Sequence, residues 1–382
     1  MPVNTPVSFA IIPTKGSHTI GRITLNSPKT LNGLTYEMVR LIGQQLQAWR
    51  YDPNMVAVWL EGEGDKAFCA GADLRQLYQA LTAPQDPLAE HDIPSYAQEF
   101  FAKEYQLDYF IHHYPKPIIA WLHGFVMGGG IGLSHGARYR IATENATFSM
   151  PEISIGLFPD VAGSWFLGQI PARIGRFIAL TAARLNAADA LFSGLADMII
   201  EHQRKQDVIG ALTWANWQTD PVHNEHTLHN ILQSFASWQY CQNSTLIEHA
   251  AELAALCNAP DCRTFLMQLM QLGQQNTWFE PYMLAARNGA PSSLYLSWIL
   301  QDMARTMSLA DVYKMEFNAA MGCCARGDLV EGIRALVIDK DKKPDWLPAA
   351  SDEKDLTELI EFYLIPRYHG VHMLSDLAPD TL

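Results

Sequence analysis

Apolar residues in the first part of the chain change repeatedly between the spacing of strands and that of helices. Residues 7–12 and 18–25 are rich in β-branched residues and are separated by Lys15-Gly16, which predicts a hairpin. Apolar residues then recur at helical spacing over 34–49, before a fully apolar run at 56–60. These patterns predict a hairpin, a helix and a buried strand in this order.

The alternation of short apolar strands with helices continues further along the chain. Residues 117–122 and 138–142 have the pattern of strands, and a helix is predicted over about 95–113. From about residue 170 onward the strand signals fade and helical patterns dominate, above all in 204–310. Short apolar strands that alternate with helices are typical of an α/β fold with parallel strands.

The stretch 83–94 is polar and contains several prolines, which predicts a long loop before the helix at 95–113. Such a loop is equally compatible with a lid over a binding site and with an ordinary surface connection. The two have the same sequence character, because both run over the surface of the protein.

The charge of the chain limits the partners that it can have. Its formal net charge is −13, whereas nucleic acids and membrane surfaces both attract basic faces. We therefore expect neither of them as a general partner. No apolar run approaches the roughly 18 residues of a membrane span, and the first residues show neither a signal-peptide nor an Arg-rich transit pattern. A soluble, cytoplasmic protein is expected.

Six cysteines are spread over the chain without a paired C-x-x-C spacing to histidines, so we expect reduced thiols and no metal site. Cys69 has a rival interpretation as a catalytic thiol. Nothing in the sequence around it supplies the base or cation that a thiolate needs. His123 is expected to be packed or hydrogen-bonded rather than catalytic.

The segment most informative about chemistry is a strand that runs into glycines. The predicted strand at 117–122 leads to Gly128, Gly129 and Gly130, which open an amphipathic segment. A glycine turn at a helix start leaves backbone N–H groups free to bind a developing oxyanion. A glycine triplet alone is typical of a tight turn. Together with the small residues of the motif at 67–73, however, it indicates a site that polarises a carbonyl.

These motifs resemble those of the crotonase superfamily, the enoyl-coenzyme A hydratases and isomerases, and the resemblance covers nearly the whole chain. The shared motifs are Asn26-Ser-Pro-Lys-Thr-Leu-Asn32, Ala67-Phe-Cys-Ala-Gly-Ala-Asp73, Gly128-Gly-Gly130, and Pro151-Glu-Ile153 with Gly156. Within the superfamily the chain is most similar to thioester hydrolases. The motifs behind that similarity are Phe101-Ala-Lys-Glu-Tyr105, Met150-Pro-Glu152, Ile155-Gly-Leu-Phe-Pro-Asp160, Arg326-Gly-Asp328 and Glu331-Gly-Ile-Arg-Ala-Leu-Val-Ile-Asp-Lys-Asp341.

The resemblance implies an α/β fold, a crotonase-like spiral of ββα units with a helical C-terminal region. It places an acyl-coenzyme A-binding catalytic core in residues 1–200 and the helical region in residues 201–382. In the superfamily such a helical region supports oligomerisation, so a homo-oligomer is an open expectation.

The same resemblance implies an oxyanion site made of two backbone N–H groups, which fall on Ala72 and Gly129. Both residues are small, so a thioester can approach the backbone closely. Gly129 therefore also counts as a substrate-binding residue. The presence of both elements in the order of the family favours an oxyanion site over a tight turn.

Glu152 and Asp160 are the catalytic carboxylates that the resemblance implies. Glu152 either attacks the thioester carbonyl, giving a mixed anhydride that water hydrolyses, or acts as the general base for water. Asp160 holds the 3-hydroxyl of the substrate or assists proton transfer, and Glu104 contacts the acyl portion. All three therefore count as substrate-binding residues. Taken alone, each carboxylate is more often a solvated charge or a helix cap.

One position departs from the hydratases of the superfamily. They carry a further catalytic glutamate shortly after the glycine triplet, where this chain has Gly132, so hydration would lack one of two acid/base groups.

The resemblance therefore implies hydrolysis of a short branched 3-hydroxyacyl-coenzyme A thioester, above all 3-hydroxyisobutyryl-coenzyme A in valine breakdown. Coenzyme A is part of the substrate, and no separate cofactor is expected. The rivals are an enoyl-coenzyme A hydratase or isomerase, and a non-catalytic acyl-coenzyme A-binding protein that kept the fold and lost the chemistry.

Overall fold

The computed structural model describes residues 5–83, 93–348, 353–368 and 370–378, with side chains for all of these but 353–355. The loop or lid predicted at 83–94 lies, apart from its ends, outside the described residues. The chain forms two compact units, each assembled from three separate segments. The first unit comprises residues 1–72, 107–148 and 184–248, and the second comprises 73–106, 149–183 and 249–382.

The strands of the described chain lie in two sheets. They are β1 (Val7–Pro13), β2 (Thr19–Leu25), β3 (Met55–Gly62), β4 (Ala67–Cys69), β5 (Ile118–Leu122), β6 (Phe125–Met127), β7 (Tyr139–Ala142), β8 (Thr147–Ser149) and β9 (Met198–Ile199). A larger sheet has the order β1-β2-β3-β5-β7-β9, and a smaller one the order β4-β6-β8.

Helices are numbered in chain order through both units. Those with all residues in the first unit are α1 (Tyr36–Arg50), α4 (Gly129–His135), α7 (Ala187–Phe192), α8 (Lys205–Trp214), α9 (Pro221–Phe235) and α10 (Thr245–Glu248). Those of the second unit are α2 (Leu74–Thr82), α5 (Gly163–Gly168), α6 (Ile174–Thr181), α11 (Ala250–Cys257), α12 (Cys262–Gln275), α13 (Glu280–Asn288), α14 (Pro291–Ala304), α15 (Leu309–Arg326), α16 (Asp328–Ile333) and α17 (Glu353–Leu364). Helix α3 (Ser95–His112) gives residues to both units.

The larger sheet confirms the strands and the hairpin predicted from the sequence. β1 and β2 pair antiparallel, and β2, β3, β5, β7 and β9 then pair in parallel. Strands β3 and β5 carry apolar side chains on both of their faces, since each strand lies in the middle of the sheet and is buried throughout. The predicted helices at 34–49 and 95–113 are α1 and α3.

A repeated strand-strand-helix unit follows along the chain. β3 and β4 precede α2, β5 and β6 precede α4, and β7 and β8 precede α5. In each repeat the first strand joins the larger sheet and the second joins the smaller one, beside the corresponding strand of the previous repeat. This advance through two sheets is the spiral of ββα units that the resemblance implied.

The core of the first unit lies between the larger sheet and helices α8 and α9. The rings of Trp59 and Trp121, on neighbouring strands, stack with their centroids 5.4 Å apart. Val208 and Leu212 of α8 and Leu228 of α9 are buried against the same cluster. Burial stabilises such a side chain by roughly 1.5–3 kcal/mol, so this cluster fixes the larger sheet, whose strand β5 is followed along the chain by β6 and the glycine turn.

The second unit is helical. Helix α14 packs against α5 and α6, and α15 packs against α16 and α17. In the described chain the last strand ends at Ile199, so the predicted helical C-terminal region is confirmed. Residue 200 thus marks a change of element type, and its use as a domain boundary stays a prediction. No helix of the described residues is both long and apolar enough to span a membrane.

Candidate active site

The first unit holds the two segments assigned to oxyanion binding. β4 pairs in parallel with β6, and α4 begins at Gly129, shortly after β6. Gly71 has a φ of +96°, and a Cβ on it would lie 3.2 Å from Met127 O and 3.7 Å from Gly129 N. The structure therefore brings the segment Gly71-Ala72 against the start of α4.

The backbone hydrogen bonds that fix these two segments do not use the N–H groups of Ala72 and Gly129. Leu34 N–H donates to Gly71 O over 2.8 Å, which makes the parallel bridge between Leu34 and Ala72 without using the Ala72 N–H. Gly129 is the first residue of α4, where N–H groups have no acceptor within the helix. Both groups can therefore donate to an oxygen on which negative charge develops.

The motif at 26–32 holds the segment 67–72 in place by hydrogen bonds. Asn32 is buried in the left-handed region at φ 56°, and its amide nitrogen donates to Ala67 O over 2.9 Å. Its amide oxygen accepts from Ser27 N–H at 3.0 Å. Ala70 N–H donates to Leu31 O at 3.0 Å. The conformation of residues 67–72 is thus fixed by the motif 26–32, which explains why the two occur together in the sequence.

Cys69 and His123 have structural contacts in the first unit. The buried Cys69 thiol donates to Gly71 O at 3.7 Å. His123 Nε2 lies 2.7 Å from Gly64 O, and burial lowers the pKa of its imidazole below the usual range. His123 is therefore packed and hydrogen-bonded, as predicted.

Glu152 lies in the second unit, at the first position of a 3₁₀ helix, Glu152–Ile155. The helix ends at Gly156, which has a φ of 75° and donates its N–H to Glu152 O. The side chain of Glu152 is 5% exposed, and its Oε2 has no hydrogen-bond partner among the described residues. Burial, and next the charge of Asp160, raise the pKa of this carboxyl well above its usual range.

Asp160 is held by a tyrosine of α3. The Tyr105 hydroxyl donates to Asp160 Oδ2 over 2.7 Å, and both side chains are buried. Burial raises the pKa of Asp160 to about 6, although the hydrogen bond from Tyr105 opposes this rise. Asp160 is thus ionised in much of the population at neutral pH.

Glu104 precedes Tyr105 on α3 and is buried as well, with 2% of its surface exposed. Its Oε1 has no hydrogen-bond partner in the described chain. Burial and the nearby charge of Asp160 raise the pKa of the Glu104 carboxyl well above its usual range. The structure therefore brings Glu104, Glu152 and Asp160 into one group of interacting carboxyls.

A fourth carboxyl, that of Glu316, belongs to this group. The sequence motifs do not identify it as a site residue. Its two oxygens accept from Ala162 N–H at 2.7 Å and from Ser164 N–H at 2.9 Å. Val161 and Ala162, with φ values of 53° and 65°, make a left-handed turn directly after Asp160. Such a turn is strained for residues other than glycine, so Glu316 stabilises the turn that positions Asp160.

Burial and the charge of Asp160 raise the pKa of Glu316 to about 8, against the effect of its two amide donors. None of the four carboxyls forms an ion pair with a described lysine or arginine. Like charges in a dry site cannot all be ionised together, so the group holds protons at neutral pH. It can therefore accept and donate protons in the pH range where an enzyme works.

The sequence did contain a signal for Glu316. It stands among apolar residues of α15, in register with Val312, Ala319, Ala320 and Cys323, which are buried. A carboxylate on the apolar face of a helix has to be paired or protonated. That pattern could have identified Glu316 as a buried carboxyl, although not its contact with residues 162–164.

The motifs near the end of the chain support the 3₁₀ helix that carries Glu152. A Cβ on Gly156 would lie 2.7 Å from Leu329 N, and a Cβ on Gly332 would lie 2.5 Å from Ile155 Cα. Helix α16 therefore packs with its backbone directly on the Glu152–Ile155 segment. Its first residue, Asp328, is buried and accepts from the Ser292 hydroxyl at 2.6 Å.

Arg334 fixes the segment that follows α16. Its guanidinium donates to Glu331 at 2.8 Å, to Asp339 at 2.7 Å and to Asp341 at 2.8 Å. The motif at 331–341 is thus an ion-pair network that folds this segment back on α16. Neither it nor the motif at 326–328 supplies a carboxylate to the group around Asp160.

The structure places Ala72 and Gly129 in the first unit, and Glu104, Glu152 and Asp160 in the second. Within the described residues, no group of three or more His, Cys, Asp or Glu side chains has the arrangement of a metal site. The first unit thus has two backbone N–H groups that are able to bind an oxyanion, and the second unit has a group of buried carboxyls that are able to exchange protons.

The sequence profile of the enoyl-CoA hydratase/isomerase family matches residues 20–363. The chain belongs to this family.

Two relatives within the family carry the same name and are similar to this chain. The chain is 35% identical to the mitochondrial 3-hydroxyisobutyryl-CoA hydrolase of Gallus gallus, over 87% of this chain and 83% of the relative. It is 34% identical to the protein of that name from Homo sapiens, over 88% of this chain and 84% of the relative. Both alignments span most of each protein.

Solved structures confirm the fold. A carnitinyl-CoA dehydratase from Mycobacterium thermoresistibile superposes with a TM-score of 0.80 at 28% identity, covering 94% of this chain and 96% of that structure. An enoyl-CoA hydratase from Rhodobacter sphaeroides 2.4.1 superposes with a TM-score of 0.77 at 30% identity, covering 94% of this chain and 97% of that structure. The fold is therefore the crotonase fold.

Proposed function

We propose that this protein hydrolyses the thioester of a short branched 3-hydroxyacyl-coenzyme A, with 3-hydroxyisobutyryl-coenzyme A as its preferred substrate, in valine breakdown. The observation that carries this proposal is the buried carboxyl of Glu152, which interacts with Asp160 and has one oxygen without a hydrogen-bond partner among the described residues. The substrate is taken from the relatives that share about a third of the sequence and are named for this hydrolysis.

In this proposal the N–H groups of Ala72 and Gly129 bind the thioester oxygen. The carbonyl oxygen becomes negatively charged when its carbon is attacked, and preorganised backbone donors stabilise that charge. Loss of one such donor usually costs about 10²–10³ in rate.

Glu152 acts by one of two routes. As a nucleophile, its carboxylate attacks the carbonyl carbon, and the carbon–sulfur bond breaks to release the coenzyme A thiolate, which takes a proton. Water then hydrolyses the mixed anhydride and regenerates the carboxylate. As a general base, Glu152 takes a proton from a water molecule that attacks the carbonyl directly. Both routes give one free acid and one free thiol per water consumed.

Asp160 and Glu104 serve the acyl group in the proposal. Asp160, ionised at neutral pH, accepts a hydrogen bond from the 3-hydroxyl or exchanges a proton during the reaction. Glu104 contacts the acyl portion, and its raised pKa lets it donate a hydrogen bond. The reaction needs no separate cofactor, because coenzyme A enters as part of the substrate.

Gly132 argues against the hydratase alternative. It is buried within α4 and carries no acid/base group, whereas addition of water across a double bond uses two such groups. The group of carboxyls around Asp160 argues against a non-catalytic binding protein, since four buried carboxyls without a described cation beside them destabilise the fold, and such costs are concentrated at functional sites.

The test is a thiol-release assay with 3-hydroxyisobutyryl, 3-hydroxypropionyl, crotonyl and acetyl thioesters. We expect release from the two hydroxyacyl substrates, and a fall of about 10²–10⁴ in turnover in Glu152→Gln, the usual scale for an acid/base group. Glu280→Gln, on the exposed start of α13, is the matched control. Hydration of the crotonyl thioester without free thiol would instead support the hydratase alternative, and ligand binding without turnover would support the binding protein.

Single-turnover hydrolysis in ¹⁸O-labelled water tests the anhydride route for Glu152. Label in the Glu152 carboxylate demonstrates the anhydride, because a general base takes only a proton from water and gains no oxygen from it. Absence of label is compatible with both routes, since water can attack the substrate side of the anhydride. Mass spectrometry of the peptide that contains Glu152 measures this incorporation.

A cytoplasmic location and a homo-oligomeric state remain predictions from the sequence. The relatives from chicken and human are named mitochondrial, which is a property of those proteins.

A further inference from the structure

A cavity of about 360 Å³ lies in the second unit, where the ends of α5 and α14 meet α6 and α11. None of the residues assigned to catalysis lines it. Its lining includes Arg173, Arg176, Asp302 and Arg305. Among the described lining residues, three guanidinium groups against one carboxylate give this cavity a positive charge, in a chain whose formal net charge is −13.

Arg176 is a fixed cation in the wall of the cavity. Its side chain is 4% exposed, donates to Asp302 Oδ1 at 2.6 Å, and donates to Cys257 O at 3.2 Å. The guanidinium carbon lies 3.7 Å from the ring centroid of Trp298. These contacts hold the guanidinium in one orientation, because both of its terminal nitrogens are hydrogen-bonded and the group lies over the Trp298 ring.

Arg173 and Arg305 are exposed and form no ion pair with a described carboxylate. Arg173 and Ala172 have φ values of 58° and 54°, the left-handed region that residues other than glycine rarely adopt. Helix α6 begins at Ile174, directly after Arg173, and no described side chain caps this end. The partial positive charge of a helix N-terminus thus adds to that of the arginines.

The arginines in the lining favour a ligand that carries a phosphate group. The planar fork of arginine matches phosphate oxygens in pairs, and arginine is the preferred residue for such recognition. The volume lies in the range of about 300–1,000 Å³ that holds organic molecules. Asn258 and Gln301 add amide groups, and Ile170 adds an apolar surface. These neutral groups suit the organic part of a ligand.

We propose that this cavity is a binding site for an organic phosphate of nucleotide size, bound by Arg173 and Arg305 against the fixed guanidinium of Arg176. Two sources share this chemistry: a free phosphorylated molecule and the phosphorylated end of coenzyme A.

Isothermal titration of the full chain with adenosine 5′-monophosphate and with inorganic phosphate tests the proposal, at constant salt. We expect the nucleotide to bind more tightly than inorganic phosphate. Its affinity falls at least 10-fold in the double variant Arg173→Ser/Arg305→Ser and stays unchanged in Arg287→Ser, an exposed arginine of α13 outside the cavity. Circular dichroism establishes that both variants are folded.

The source is separated by a second measurement, which alone depends on the proposed hydrolysis. A rise in KM for the thioester in the double variant, with kcat unchanged, assigns the site to coenzyme A; an unchanged KM assigns it to a free phosphorylated molecule. Absence of binding at millimolar nucleotide, or equal affinity in the wild type and the double variant, would overturn the proposal.

Discussion

Asp160 interacts with each of the other three carboxyls of its buried group. Its charge raises the pKa of Glu104, Glu152 and Glu316, and it receives the hydrogen bond from Tyr105. A change at this one residue therefore alters the protonation of the other three. In the proposed reaction burial and this coupling together set the pH at which Glu152 becomes a carboxylate.

The coupling leads to a prediction for the pH profile of Asp160→Asn. Both routes need an ionised Glu152, so kcat/KM is lost as the pH falls through the pKa of Glu152. An asparagine carries no charge and no longer raises that pKa, so the acid limb of the profile moves to lower pH. The measurement is residual thiol release between pH 4 and 9. An acid limb that stays in place or moves to higher pH would contradict the assignment.

A second prediction concerns Glu316. In Glu316→Gln one acceptor oxygen becomes an NH₂ group that faces a backbone N–H, so the left-handed turn after Asp160 loses a hydrogen bond. We expect a loss of about 1–3 kcal/mol in stability, the cost of an unsatisfied buried donor. We also expect a fall of about 10- to 100-fold in kcat, since small displacements of catalytic groups have effects of this size.

Urea unfolding and steady-state kinetics measure the two effects of Glu316→Gln. KM for the thioester is expected to stay near that of the wild type, which distinguishes a displaced Asp160 from general loss of folded protein. An unchanged kcat in a folded, destabilised variant would show that Glu316 acts on stability alone.

The sequence identified the carboxylates that stand in motifs and missed those that do not. Glu104, Glu152 and Asp160 each follow a recognisable neighbour sequence. Glu316 stands alone in a helical pattern, and its role depends on a contact with residues 154 and 152 positions away along the chain. Contacts of that range have no local signature, since helix periodicity describes only one face of one element.

At the scale of elements, the short helix that carries Glu152 depends on α16. We predict that Gly332→Ala lowers both stability and activity, because its Cβ would overlap the backbone of Ile155. Overpacking of this kind costs about 1–3 kcal/mol. The matched control is Gly210→Ala in the middle of α8, where a Cβ would have no atom of the described chain within 4 Å. That change should stabilise by about 0.5–1 kcal/mol.

Thermal unfolding and thiol release measure both glycine variants. Equal stability in Gly332→Ala and the wild type would show that α16 and the Glu152–Ile155 segment separate easily, which contradicts their close packing.

Elements were predicted well where they are long and apolar, as in β3 and β5, because buried central strands are apolar on both faces. Strands β4, β6 and β8 have three residues each. A run of that length shows no period, so the residue pattern alone did not predict the smaller sheet. It followed only from the ββα units that the resemblance implied.

At the scale of the whole molecule, the sequence divided the chain at residue 200, where the strands end. The compact units follow a different division. Each consists of three segments, and the segments of the two units alternate along the chain. Hydrophobic patterns report which faces are buried and leave open which other segment covers them. Composition therefore located the change from strands to helices, while the grouping of segments needed the structure.

This alternation restricts which rearrangements of the gene can leave the fold intact. No single stretch of the coding sequence encodes one unit alone, so a deletion, a duplication or a fusion with one breakpoint inside the chain always divides at least one of them. One breakpoint therefore cannot transfer one intact unit by itself. Insertions that leave both units intact belong in the loops, where changes of length are tolerated.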